Sequence, residues 1–92
     1  MSEPKTYRKK PVHVKAKKLT DRVSMLDIVE WIGENHHSHI QHPPEAYAVR
    51  IETLEGIMTA RIGDYVVRGV AGEFYPVKPK IFAATYEAVD ND

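Results

Sequence analysis

Between residues 47 and 62 the chain alternates, turns and returns. Tyr47, Val49, Ile51 and Thr53 alternate with Ala48, Arg50 and Glu52, and an apolar-rich stretch from Ile57 to Ile62 follows Glu55-Gly56. A period of two places one set of side chains on each face of a strand, so the stretch predicts a half-buried β-hairpin. With a two-residue loop at Glu55-Gly56, Ile51 opposes Ala60, Val49 opposes Ile62 and Thr53 opposes Met58 on an apolar face. The other face then sets Leu54 against Ile57, Glu52 against Thr59 and Arg50 against Arg61. Like charges directly opposite repel. Glu55-Gly56 is not the favoured turn pair, so a longer loop shifts this register.

The remaining segments build outward from that hairpin. Gly63-Asp64 is a turn, Tyr65 to Arg68 a short buried strand, and Gly69 with Ala71-Gly72 a further turn. Phe74 to Val77 follows, and Pro76 makes it an edge strand or a bulge. Pro79 suits the first turn of a short helix whose inward residues are Ile81, Phe82 and Tyr86. Glu87 to Asp92 offers a brief strand before an acidic end.

Upstream, Val12, Val14 and Ala16 alternate with His13, Lys15 and Lys17, which predicts a strand with the apolar set inward. Met25, Ile28, Val29 and Ile32 fall at helical spacing. Ser24 with Asp27 fits a helix-capping pattern, and Thr20 or Asp21 is the alternative cap one turn earlier. Gly33 suits a left-handed exit. Trp31 lies off the main stripe, either packed over the rim of the sheet or part-exposed as a contact anchor. The expected fold is α+β: an antiparallel sheet of about four to five strands, from about Tyr47 to Val77, on one main helix, with a short C-terminal helix. Residues 7–88 form one domain between a tail at 1–6 and an acidic tail at 89–92.

Composition narrows the functional classes. At 92 residues and 42% apolar side chains, the chain suits one small globular domain. It has no cysteine, which removes disulfides, thiolate chemistry and cysteine-based zinc cages and is compatible with a reducing compartment. No apolar run is long enough to span a bilayer and the polar start is no signal peptide, so a cytosolic, non-inserted protein is expected. The zero net charge hides an asymmetry. Residues 1–22 hold eight cationic side chains against Glu3 and Asp21, while the rest of the chain is acidic to the same degree. Arg8, Lys9, Lys10 and Lys17 in that basic segment are candidate contacts for nucleic acid or an acidic protein surface, or they keep a strand edge soluble.

No phosphate-binding glycine loop, nucleophile elbow or HExxH pattern occurs, so no catalytic residue and no cofactor are assigned and the chain is not read as an enzyme. Asp64 and Glu73 form the one carboxylate pair that the turns bring into consideration. Asp64 is more simply explained by bonding to its own backbone. His36, His37, His39 and His42 lie in a loop at Glu34 to Glu45 and lack the spacing of a metal cage. Arg50, Arg61 and Arg68, gathered on one sheet face, would grip a carboxylate or phosphate. Together with Trp31 and Tyr75 they are the candidate partner-binding residues. An anionic small molecule or nucleotide is the alternative ligand, and a homo-oligomer is compatible with so small a core.

The phrases Ile51-Glu-Thr-Leu-Glu-Gly56, Gly63-Asp-Tyr-Val-Val-Arg-Gly69, Gly72-Glu-Phe-Tyr-Pro76, Lys78-Pro-Lys-Ile-Phe82 and Thr85-Tyr-Glu87, with the start Tyr7-Arg-Lys-Lys-Pro-Val12, resemble a family of small proteins encoded by tailed bacteriophages and prophages. The resemblance covers most of the chain. It implies an accessory, non-virion protein of the infected bacterial cytoplasm that binds and modulates a host protein, for example a division or polar-growth scaffold, transcription machinery or a defence system. Two departures stand out: Val77 replaces a cysteine frequent in relatives, and the histidine-rich loop is peculiar to this chain.

Overall fold

Helix α1 (Arg22–Gly33) begins on a reciprocal cap. The Ser24 amide donates to Asp21 Oδ1 at 2.9 Å, and the Asp21 amide donates to Ser24 Oγ at 2.9 Å. Asp21 is therefore the cap, as the earlier-turn alternative has it, and the Ser24–Asp27 pattern is not used. Met25, Ile28 and Ile32 are buried along one stripe. Gly33 closes the helix without a left-handed backbone, contrary to expectation.

The computed structural model describes residues 3–33, 38–41 and 47–89. Its strands are β1 (Lys15–Lys18), β2 (Ser38–Gln41), β3 (Ala48–Thr53), β4 (Gly56–Ala60), β5 (Tyr65–Arg68) and β6 (Phe74–Val77), followed by helix α2 (Pro79–Thr85). The chain is an α+β protein with antiparallel strands, a main helix and a short C-terminal helix. The expected single sheet is two, however: β1-β5-β6 and β2-β3-β4, each three-stranded. The division falls at residues 61–64. The Leu19 amide donates to the Asp64 carbonyl (2.9 Å) and the Gly63 amide to the Leu19 carbonyl (2.7 Å), which carries β5 away from β4 and onto β1. Gly63, at φ +98°, makes that departure without steric cost.

The β3–β4 register is shifted by two residues from the expected one. Val49 pairs with Ala60, Ile51 with Met58 and Thr53 with Gly56. Leu54-Glu55 is the two-residue turn, and Gly56, at φ +106°, takes the left-handed position after it. Thr53 Oγ1 holds the turn, donating to the Gly56 carbonyl (2.7 Å) and accepting the Glu55 amide (3.1 Å). An even shift keeps each side chain on its face, so Val49, Ile51 and Ala60 remain in the core.

That core joins α1 to both sheets: Leu19, Met25, Ile28 and Ile32 pack with Val49, Ile51, Ala60, Val66 and Phe74. The strand at the basic end is shorter than expected and turned over. Val12 precedes β1, Ala16 is exposed, and Lys17 faces inward. Segment 34–45, expected as loop, contains β2 paired to β3, with His39 opposite Arg50. Pro76 lies on β6, an edge strand as expected, and Pro79 opens α2. Ile81 is solvent-exposed rather than inward. No strand forms over residues 86–89. No helix among the described residues is long and apolar enough to cross a membrane.

Candidate functional site

The faces of the β1-β5-β6 sheet do different work. Pairing of Lys17 with Val66 and of Arg68 with Phe74 puts these side chains on the face toward α1. There Trp31 meets the edge of Phe74 at 84° with ring centroids 5.0 Å apart. Lys17 lies over the Trp31 ring at 5.2 Å and forms a 2.8 Å ion pair with Asp27. The Arg68 guanidinium lies 5.9 Å from the centre of the Phe74 ring. Trp31, Lys17 and Arg68 are thus bound into the fold. Trp31 packs over the rim of the sheet while remaining part-exposed, and Lys17 faces inward whereas Arg8, Lys9 and Lys10 are exposed.

The expected direct opposition of Arg50 and Arg61 does not form. Arg50 faces Thr59, and Arg61 lies past the last paired residue of β4. Arg68 belongs to the other sheet. The two-residue register shift dissolves the expected Arg50–Arg61 opposition, because Gly56 serves the turn as its left-handed closing residue and not as its second central residue.

The opposite face of the same sheet carries Tyr65, Val67 and Tyr75 toward α2. Phe82 stacks on Tyr65 with centroids 3.8 Å apart and planes 6° from parallel, and Tyr86 follows Phe82 at 5.0 Å. The Tyr75 and Tyr86 hydroxyls lie 3.3 Å apart. Burial of Tyr75, the hydrogen bond with Tyr86 and the nearby Glu73 charge push its phenol up to about 12.

Beside this aromatic row runs a groove. Lys9, Lys10, Pro11, Val12 and Val14 line it from the amino-terminal segment, and Thr85 and Tyr86 line it from the end of α2. Gly69, Val70, Glu73 and Tyr75 complete it. A second depression adjoins it, sharing Pro11, Val12, Val14, Thr85 and Tyr86 and reaching Tyr65 and Phe82. The structure therefore brings together three residues that the sequence singled out separately: Tyr75, Lys9 and Lys10. Val70 and Tyr86, missed as site residues, join them. Val70 is 71% exposed and lines the groove. Glu73 folds back on its own turn, where its carboxylate packs against Gly69 and accepts the Ala71 amide at 3.0 Å. A Cβ at residue 69 would occupy the space of that carboxylate, so a larger residue there makes the Glu73 side chain move aside.

Asp64 and Glu73 do not form a carboxylate pair. Pairing of Tyr65 with Val77 and of Arg68 with Phe74 sets them at opposite ends of the β5–β6 hairpin, roughly 15 Å apart at strand rise. Asp64 is buried in a structural role, as its simpler reading had it: Oδ2 accepts the Arg61 amide at 2.9 Å and pairs with Lys78 Nζ at 3.3 Å. No group of three metal-ligating side chains occurs among the described residues. His36, His37 and His42 lie outside them, as does the His39 side chain.

No family model, curated protein or solved structure matches the chain.

Proposed function

We propose that the chain is a non-enzymatic binding module that takes an acidic, apolar-containing segment of a host protein into the groove between its amino-terminal segment and α2. The observation that carries this reading is the convergence of Lys9, Lys10 and Tyr75 on one groove with exposed Val12 and Val70. Ammonium groups at one end attract carboxylates and raise the association rate. The valines and the tyrosine rings supply apolar contact, and the phenols fix a backbone group by hydrogen bonding. This chemistry suits the phage accessory role that the sequence resemblance implies, in which a small protein modulates a host protein in the infected bacterial cytoplasm.

Affinity capture from bacterial lysate tests it. The native chain retains one dominant protein. Lys9→Glu/Lys10→Glu and Val70→Glu lose it while remaining folded, and Arg50→Glu keeps it. Retention by the groove variants, or loss on Arg50→Glu alone, would move the site elsewhere. Nucleic acid is separated from protein by treating the lysate with nuclease before capture.

A further inference from the structure

Helix α2 buries none of its seven residues. Phe82 is half-buried, and every other residue from Pro79 to Thr85 is exposed. No residue of α2 belongs to the core that joins α1 to both sheets. A helix this short is not stable in water by itself, and this one lacks the usual support at its ends. Its cap residue Lys78 gives no side-chain hydrogen bond, the first turn has no acid and the last turn no base. The hold of α2 on the β1-β5-β6 sheet is aromatic: Phe82 stacks on Tyr65, and the hydroxyl of Tyr86, just past the helix, meets that of Tyr75. The connection before the helix is anchored separately, by Lys78 to buried Asp64 at 3.3 Å.

We infer that α2 is a detachable clasp. It opens as a unit, hinging at Lys78-Pro79, and frees Phe82 from Tyr65 and Tyr86 from Tyr75 while both sheets and α1 stay folded. Its few contacts lie outside the core, so they are lost together and at lower cost than the core. Thr85 and Tyr86 wall both the groove and the depression beside it. Opening removes that shared wall, merges the two and bares the rings of Tyr65 and Tyr75. The groove is complete only while the clasp is closed. That consequence rests on the reading of the groove as the binding site, whereas the opening itself does not and is measured on the free chain.

Amide hydrogen exchange of the free native chain at graded low denaturant tests the clasp. The Phe82 amide donates to the Lys78 carbonyl at 2.8 Å and the Tyr86 amide to the Phe82 carbonyl at 2.9 Å, so they report the two ends of α2. The Leu19 amide, bonded to the Asp64 carbonyl, reports the core. The two α2 amides should be protected equally, to within a factor of about two, and should exchange about tenfold or more faster than Leu19. Their denaturant slope should be shallower, because local opening exposes less surface than global unfolding. In Phe82→Ala the Tyr86 amide should lose its protection while Leu19 keeps its own, which is the domain folded with the clasp open. Three results would overturn the inference. The α2 amides could share the rate and slope of Leu19, which makes α2 an integral part of the fold. Protection could fall steadily from Phe82 to Tyr86, which is fraying of a chain end. Phe82→Ala could strip protection from Leu19 and α2 together.

Discussion

The Tyr75 and Tyr86 hydroxyls meet 3.3 Å apart, so the floor of the groove and the end of α2 share one hydrogen bond. Only one of the two can donate to the other, and the second proton is left for a neighbour or a ligand. Because the Tyr75 phenol is pushed up to about 12 by burial first and by Tyr86 second, its ionisation opposes folding. A raised folded value means that the stabilisation is complete below the unfolded value near 10 and is lost as pH rises toward 12. Titration of phenolate absorbance should show a late ionisation near 12 that belongs to Tyr75, with stability falling as pH rises toward it. In Tyr86→Phe that late ionisation moves down but stays above 10, because burial remains.

Trp31 is a packing residue, so its removal is felt in stability. Trp31→Ala loses the edge-on contact with Phe74 and the platform beneath Lys17, and should cost about 2–3 kcal/mol for a half-buried ring. Chemical denaturation measures this directly. In a domain whose whole margin is a few kcal/mol, a loss of partner binding in this variant has to be read against its folded fraction.

Asp64 separates a hydrogen bond from an ion pair. Asp64→Ala strands the Arg61 amide that Oδ2 accepts and should cost about 1–3 kcal/mol. Asp64→Asn keeps an acceptor for that amide and loses only the contact with the largely exposed Lys78 ammonium, for which about 1 kcal/mol or less is expected. Thermal melts of the two variants with Lys78→Ala order these costs. Equal losses for alanine and asparagine would show that charge, not the amide bond, holds the turn.

The cap of α1 gives a local test. Ser24→Ala removes the acceptor for the Thr20 and Asp21 amides, and Asp21→Ala removes the acceptor for the Ser24 amide. Each should destabilise by about 0.5–2 kcal/mol. Their double variant should lose less than the sum, since the bonds are reciprocal.

How much of this was legible depended on range. The Met25, Ile28 and Ile32 stripe was readable because helical period is local, and Val49, Ile51 and Ala60 were readable as core because a two-residue slip preserves the face. The register itself turned on Gly56, which serves the turn through its left-handed backbone and not as a central loop residue. That single difference removes the direct opposition of Arg50 and Arg61. The division into two sheets was hidden because it rests on Leu19 bonding to Gly63 and Asp64, more than forty residues away. Lys17 was misplaced because a lysine stem can cover an apolar ring while its ammonium reaches solvent and Asp27. The groove was half legible: Lys9, Lys10 and Tyr75 each stood out, but only tertiary packing places residues 9–14 beside α2.

The central claim is that the groove receives the partner. Amide hydrogen exchange of the full chain, free and bound to the protein captured from lysate, tests it most directly. The account predicts new protection at residues 9–14, 69–75 and 85–86, with β3 unchanged around Arg50. Protection centred on Arg50, or on the exposed side of α1 around Val23 and Leu26, with the groove unaltered, would contradict it.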